Sequence, residues 1–175
     1  MLFADFVHFS RMTERQVIYF AHHVWGTVAD LLRRYDESVV VSRTWGDALC
    51  AVFTTLEQAG RFALDLRDTV VAISRADTPL PACLNLRVAL HAGPVYHYHD
   101  PVTKLPECTG THVSRAARLE PKTPPGEVYA SEAFAALATL QNVTEFTCDY
   151  VRQLEWAKHY GTFPTYVVRR RPVPK

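Results

Sequence analysis

Two aspartates, Asp5 in Leu2-Phe3-Ala4-Asp5-Phe6-Val7 and Asp47 in Trp45-Gly46-Asp47-Ala48-Leu49, interrupt stretches that otherwise read as apolar strand. A bare carboxylate there is costly unless a counter-charge or a metal ion takes it up. Taken singly each also fits a turn or cap, and Asp47 after Gly46 fits one well. Together, on adjacent strands with a glycine that admits close backbone approach, they offer the hard oxygen ligands of a Mg²⁺ or Mn²⁺ site that handles phosphates.

The elements that must position them follow from periodicity. Residues 1–8 read as a buried strand, and Thr13 to about Arg34 as a helix with Val17, Phe20, Ala21, Val24, Val28, Leu31 and Leu32 on one face. Ser38–Trp45 and Ala48–Phe53 read as a hairpin closed at Gly46-Asp47, and Leu56 to Ile73 as a second helix. A strand over Leu84–Leu90 breaks at His91-Ala92-Gly93-Pro94 before a short strand at Val95–Tyr98, and a polar loop runs on to Glu107. Beyond it come a helix over Gly110–Leu119, a strand at Val128–Ala130, a helix at Glu132–Leu140, and strands near Phe146, Val151–Leu154 and Thr165–Arg169. The mixture of hairpins and helices points to an α+β fold, a largely antiparallel sheet covered by helices, rather than a doubly wound parallel one.

Bulk properties bound the function. The 175 residues fit one domain, 1–175, and a hydrophobic share of 48% with 21% charged residues is that of an ordinary globule. A net charge of +1 argues against bulk electrostatic binding of nucleic acid, and the one locally basic run, Arg169-Arg170-Arg171, reads as solvated. Cys50, Cys83, Cys108 and Cys148 form no CxxC pair, which suggests neither zinc nor a disulfide framework and fits a reducing cytoplasm. No signal-peptide pattern opens the chain, and no apolar stretch approaches the ~20 residues of a membrane span. The expectation is a cytoplasmic protein.

Four motifs in order then carry a resemblance. Leu2 to Ser10, Trp45-Gly46-Asp47-Ala48, Leu86-Arg87-Val88-Ala89-Leu90-His91-Ala92-Gly93-Pro94-Val95, and Gly110 to Glu120 followed by Pro125-Gly126-Glu127-Val128 resemble the catalytic domains of class III nucleotide cyclases. The resemblance implies a ferredoxin-like, palm-type domain that drives a ribose 3′-oxygen onto the α-phosphate of the same nucleotide, expelling pyrophosphate. It implies two divalent cations, Mg²⁺ or Mn²⁺, held by Asp5, the backbone carbonyl of Phe6, and Asp47. Arg118 matches the arginine that steadies the charged α-phosphate, and Ser114 stands where the family has the asparagine that orients the ribose. Phe9 and Ser10 belong to the loop whose backbone amides receive the triphosphate; by the same resemblance Arg87 is a phosphate contact, where an ordinary edge-strand charge fits equally, and Lys158 matches a lysine for the terminal phosphates, although a solvated lysine fits that position better. A head-to-tail homodimer with two shared sites is implied as well, the aspartates of each site coming from one subunit and the base-reading residues and arginine from the other.

The base-reading positions are Arg43, Trp45 and Glu107. Adenylate cyclases carry lysine in place of Arg43 and aspartate or threonine in place of Glu107, whereas guanylate cyclases typically use Glu and Cys. Arginine at the first position lacks the acceptor that guanine N1–H and N2–H₂ need, although Cys108 lies beside Glu107 and leaves GTP open. Arg43 and Glu107 offer one donor and one acceptor, which suits adenine, cytosine or uracil. The longer Glu107 arm and the Trp45 indole favour a smaller ring, unless Trp45 simply fills the core. This pattern is similar to the bacterial pyrimidine cyclases of Pycsar anti-phage systems, whose cyclic UMP or cyclic CMP switches on a separate effector. The expectation is therefore a pyrimidine cyclase, UTP before CTP. An adenylate cyclase, or a degenerate nucleotide-binding domain suggested by Ser114 and by His8 in place of glycine, are the alternatives.

Overall fold

The computed structural model describes residues 1–172, so the last three residues of the expected domain, 1–175, lie outside the described residues. The first strand, β1 (Leu2–Val7), alternates buried and half-buried positions: Leu2, Ala4 and Phe6 face one side, Phe3, Asp5 and Val7 the other. On one flank it pairs antiparallel with β3 (Ala48–Phe53), which pairs in turn with β2 (Val39–Trp45). On the other flank it pairs antiparallel with β4 (Asn85–Leu90). The sheet continues through β7 (Val128–Ser131), β9 (Gly161–Arg170) and β8 (Phe146–Trp156), giving seven strands in the order β2-β3-β1-β4-β7-β9-β8. Every neighbouring pair is antiparallel except β4 with β7. The β2-β3-β1-β4 half has the ferredoxin-like order, so the expected α+β fold with a largely antiparallel sheet is the one observed.

The two faces of the sheet are covered unequally. On the face of Leu2, Ala4 and Phe6 lie α1 (Glu14–Tyr19), α2 (Trp25–Arg33), α3 (Leu56–Arg75) and α5 (Glu132–Leu140), and the main core forms there around Phe20, Phe62, Leu66, Leu86, Phe134 and Phe146. Local sequence starts these helices: Thr13 and Gln16 close a capping box on α1, while Thr55 and Ser131 cap α3 and α5 by accepting from Gln58 N–H and Phe134 N–H. The opposite face carries α4 (Thr111–Leu119), whose Ala116 and Leu119 enter two smaller apolar clusters. Asp5 points to this thinly covered face, which leaves room for a polar site. No described helix is long and apolar enough to cross a membrane.

Three departures from the sequence reading have physical reasons. The expected single helix over residues 13–34 is α1 and α2 joined by a π turn at Phe20–Val24, and the extra residue rotates Ala21 off the buried face into solvent. The expected polar loop before Glu107 contains a strand, β6 (Pro106–Thr109), paired with β5 (Tyr96–His99) in a separate hairpin. Its partner β5 matches the short strand expected at Val95–Tyr98, whereas β6 has one buried position, Cys108, and so no apolar alternation, and Pro106 reads as a strand breaker until it is seen at a sheet edge. The separate strands expected near Phe146 and Val151 are one continuous β8.

Candidate active site

Strand register brings the candidate residues into rows. Across four strands Arg87, Asp5, Ala48 and Trp45 are successive Cα partners, and so are Ala89, Phe3, Cys50 and Arg43 two residues along. Partners opposite one another in an antiparallel pair share a face. Asp5, Arg87, Arg43 and Trp45 therefore all rise from the α4 face, as residues distant in sequence.

Asp47 reaches the same place through its turn. Gly46 takes φ 64, as the first position of a two-residue hairpin turn demands, and the Asp47 carbonyl accepts from Phe6 N–H at 3.2 Å. Trp25 Nε1 donates to the Gly46 carbonyl at 3.1 Å and pins the turn from the helical side. Asp47 is held above the usual carboxylate range, first by burial and then by the nearby Asp5 charge, with Arg87 opposing. Two adjacent carboxylates that repel one another, beside a backbone carbonyl at Phe6, are a donor set that fits a hard divalent cation. Among the described residues no group of three His, Cys, Asp or Glu is arranged to hold a metal.

Arg87 and Glu120 surround the pair. Arg87 Nη2 donates to Asp5 Oδ2 at 2.6 Å, and Arg87 Nε lies 2.8 Å from Glu120 Oε1. That second contact is an ion pair without hydrogen-bond alignment, and both Arg87 Nε and Glu120 Oε1 are buried without a hydrogen-bond partner. Glu120 is 9% exposed, and burial pushes its carboxyl up to about 7 despite Arg87, with Asp5 and Asp47 adding to the rise. Sequence reasoning placed Arg87 at a phosphate and passed over Glu120. The signal it had was an acid closing the Arg118-Leu119-Glu120 run, which on a helix end reads as solvated.

The three residues expected to read the base, Arg43, Trp45 and Glu107, also gather. Arg43 Nε lies 3.6 Å from Glu107 Oε2, Arg43 Nη1 donates to the Ser42 carbonyl at 2.8 Å, and Nη2 donates to the Pro106 carbonyl. Glu107 Oε1 accepts from Cys108 N–H at 2.9 Å. Cys108 itself is 7% exposed within an apolar cluster, so Glu107, not Cys108, shares a surface with Arg43. Trp45 is 52% exposed and tilts against Phe3, which removes the core-filling reading.

The remaining candidates stand apart. Ser114 is exposed and Arg118 half-buried on α4, and Arg118 makes no ion pair among the described residues. Lys158 is exposed at φ 61 in the turn between β8 and β9, beside α4. Ser10 is exposed in the 3₁₀ turn Phe9–Arg11, while the Phe9 ring packs edge-on to Phe20 at 5.0 Å and anchors the loop. A second buried feature was missed altogether. His91, at the end of β4, bonds Ser131 Oγ through Nδ1 at 2.7 Å and His112 Nδ1 through Nε2 at 2.8 Å, tying the start of α4 to the sheet.

Known proteins give this arrangement a context. The sequence description of the adenylate and guanylate cyclase catalytic domain matches residues 1–169. Among solved structures, the guanylate cyclase domain of RhGC from Catenaria anguillulae in complex with GTP superposes with a TM-score of 0.79 at 21% identity, covering 98% of this chain and 95% of that one. A non-canonical dimeric guanylyl cyclase domain of the RhoGC fusion protein from the aquatic fungus Blastocladiella emersonii gives 0.78 at 21% identity over 98% and 95%. The adenylyl cyclase CyaB from P. aeruginosa gives 0.76 at 14% identity over 98% and 93%. Comparison with curated protein sequences returns no match.

Proposed function

The chain belongs to the adenylate and guanylate cyclase catalytic domain family, and from that premise we propose that it cyclises a pyrimidine nucleoside triphosphate, UTP before CTP, to the 3′,5′-cyclic nucleotide and pyrophosphate. The observation that carries the reading is the base corner: Arg43 beside Glu107 at 3.6 Å, one donor fork and one acceptor, with the Trp45 indole exposed on the same face. With uracil, Arg43 donates to O4 and Glu107 accepts from N3–H. With cytosine, Glu107 takes the N4 amine. A guanine edge presents two donors to a position filled by arginine, which has none of the acceptors they need.

Asp5, Asp47 and the Phe6 carbonyl would hold two divalent cations, Mg²⁺ or Mn²⁺, which would supply Lewis-acid activation of the 3′-hydroxyl and charge neutralisation on the phosphates. The chain's own groups do the rest. The amides of the Phe9–Ser10 turn receive the triphosphate, with Lys158 at its far end. Arg118 presents a planar fork to the charged α-phosphate, and Ser114, one helical turn earlier on α4, orients the ribose. Arg118 acts on the site of a second copy, so the working unit is a homodimer with shared sites. A separate effector reads the cyclic product, as in anti-phage signalling, and the reaction takes place in the cytoplasm.

Incubating the purified chain with each of ATP, GTP, CTP and UTP in Mn²⁺ tests the substrate. Cyclic UMP is the expected main product, followed by cyclic CMP. Cyclic AMP or cyclic GMP as the dominant product overturns the pyrimidine reading while leaving the cyclase intact.

A further inference from the structure

Asp5 Oδ2, an oxygen the metal site needs, is already taken: Arg87 Nη2 sits on it at 2.6 Å. The same guanidinium lies against Glu120 at 2.8 Å, in a contact too poorly aligned to be a hydrogen bond, and Arg87 Nε and Glu120 Oε1 are both left without one. Buried polar atoms in that state are uncommon and call for an explanation. Two carboxylates, Asp5 and Glu120, share one arginine, with the Asp47 charge nearby, and the guanidinium aligns with Asp5 but not with Glu120. A small rotation of Arg87 off Asp5 squares its fork to Glu120, satisfies both orphaned atoms, and frees Asp5.

We propose that Arg87 is a displaceable counter-ion, holding Asp5 neutralised in the metal-free protein and passing to Glu120 when a divalent cation takes Asp5. This rests on the assignment of Asp5 and Asp47 as metal ligands. It makes Arg87 and Glu120 positioning residues. Arg87 restrains the metal-free carboxylates from repelling one another, and Glu120 is the acceptor that lowers the cost of moving Arg87 aside. Glu120 opens the 3₁₀ turn that directly continues α4, so the transfer also pulls on the helix that bears Arg118.

The test is Mn²⁺ alone, titrated calorimetrically into the full chain and into R87M, E120Q, R87M/E120Q and D5N. Losing the competing ion pair is expected to tighten Mn²⁺ binding in R87M by about tenfold, the scale of a charge-assisted hydrogen bond. E120Q weakens binding in the otherwise unchanged chain but has no further effect on R87M, because Glu120 acts through Arg87. Unchanged affinity in R87M, or an equal loss from E120Q in both backgrounds, overturns the transfer and marks Glu120 as a through-space charge. Equal binding by D5N and the unsubstituted chain, or none by any variant, overturns the metal assignment itself and the transfer with it. Should R87M not fold, the Arg87 Nε–H resonance of the unsubstituted chain, assigned with R87K, gives a second readout. It moves on Mg²⁺ addition if the guanidinium changes partner, and a fixed position refutes the transfer.

Discussion

His91 is held at 2% exposure between Ser131 and His112, and burial, reinforced by His112, brings its pKa down from 6.5 to about 3. An unfolded chain takes up this proton near pH 6.5, and the folded one resists until about pH 3. Folding stability from His91 is thus complete above about pH 6.5 and drains away as pH falls toward 3, a contribution on the order of 4 kcal/mol. Urea denaturation of H91Q between pH 7 and pH 4 should show a shallower acid loss than the unsubstituted chain. Equal slopes would mean that other groups govern the acid limb. Residues of this kind mark where sequence reading stops. Asp5 and Asp47 were legible because a charge inside an apolar run is conspicuous whatever surrounds it. His91 and Glu120 were not, because their chemistry comes from partners that only the tertiary fold supplies, Ser131 on β7 and His112 on α4 for the one and Arg87 on β4 for the other.

Close approaches between elements decide the next scale. In the second turn of α3, Gly60 faces the Phe146 ring of β8 so tightly that an added Cβ meets Cε1 at 2.3 Å. Helix propensity alone rewards alanine there by about 1 kcal/mol, but overpacking costs about 1–3 kcal/mol, so G60A should be net destabilising. An added Cβ at Gly93, after β4, meets His112 Nδ1 at 2.1 Å. G93A should lose comparable stability but also displace the start of α4, the carrier of Ser114 and Arg118. Thermal melts alongside steady-state kinetics separate the two. Both variants should melt lower, and only G93A should lose turnover severalfold at a temperature where it remains folded. Strands and helices with strong periodicity, such as β1, β3 and α3, were readable because each buries a complete face. The π turn in α1–α2 and the strand β6 were not, since one is a single-residue phase slip and the other has one buried position, Cys108, and a fully exposed partner strand.

At the scale of the whole molecule, Asp5 and Arg118 serve different copies' sites in the proposed homodimer. D5N and R118A should each be nearly inactive alone. Random re-association of the two makes half of the dimers mixed, each with one intact site, so activity should return to about a quarter of the unsubstituted level. Recovery absent from a mixture that sediments as dimers argues for sites built within one chain. A largely antiparallel sheet was expected from the order of elements and its ferredoxin-like character from the family resemblance, whereas the full strand order, with its parallel joint between β4 and β7, depends on non-local pairing that local pattern does not encode. The three tryptophans divide by role: Trp156 is buried at 3%, Trp25 half-buried against the Gly46 turn, and Trp45 largely open to water at the base corner. The protein thereby carries an intrinsic optical reporter, a solvent-accessible indole whose emission and quenching should respond to arrivals at the proposed substrate corner, while the other two supply a steady background from the folded interior.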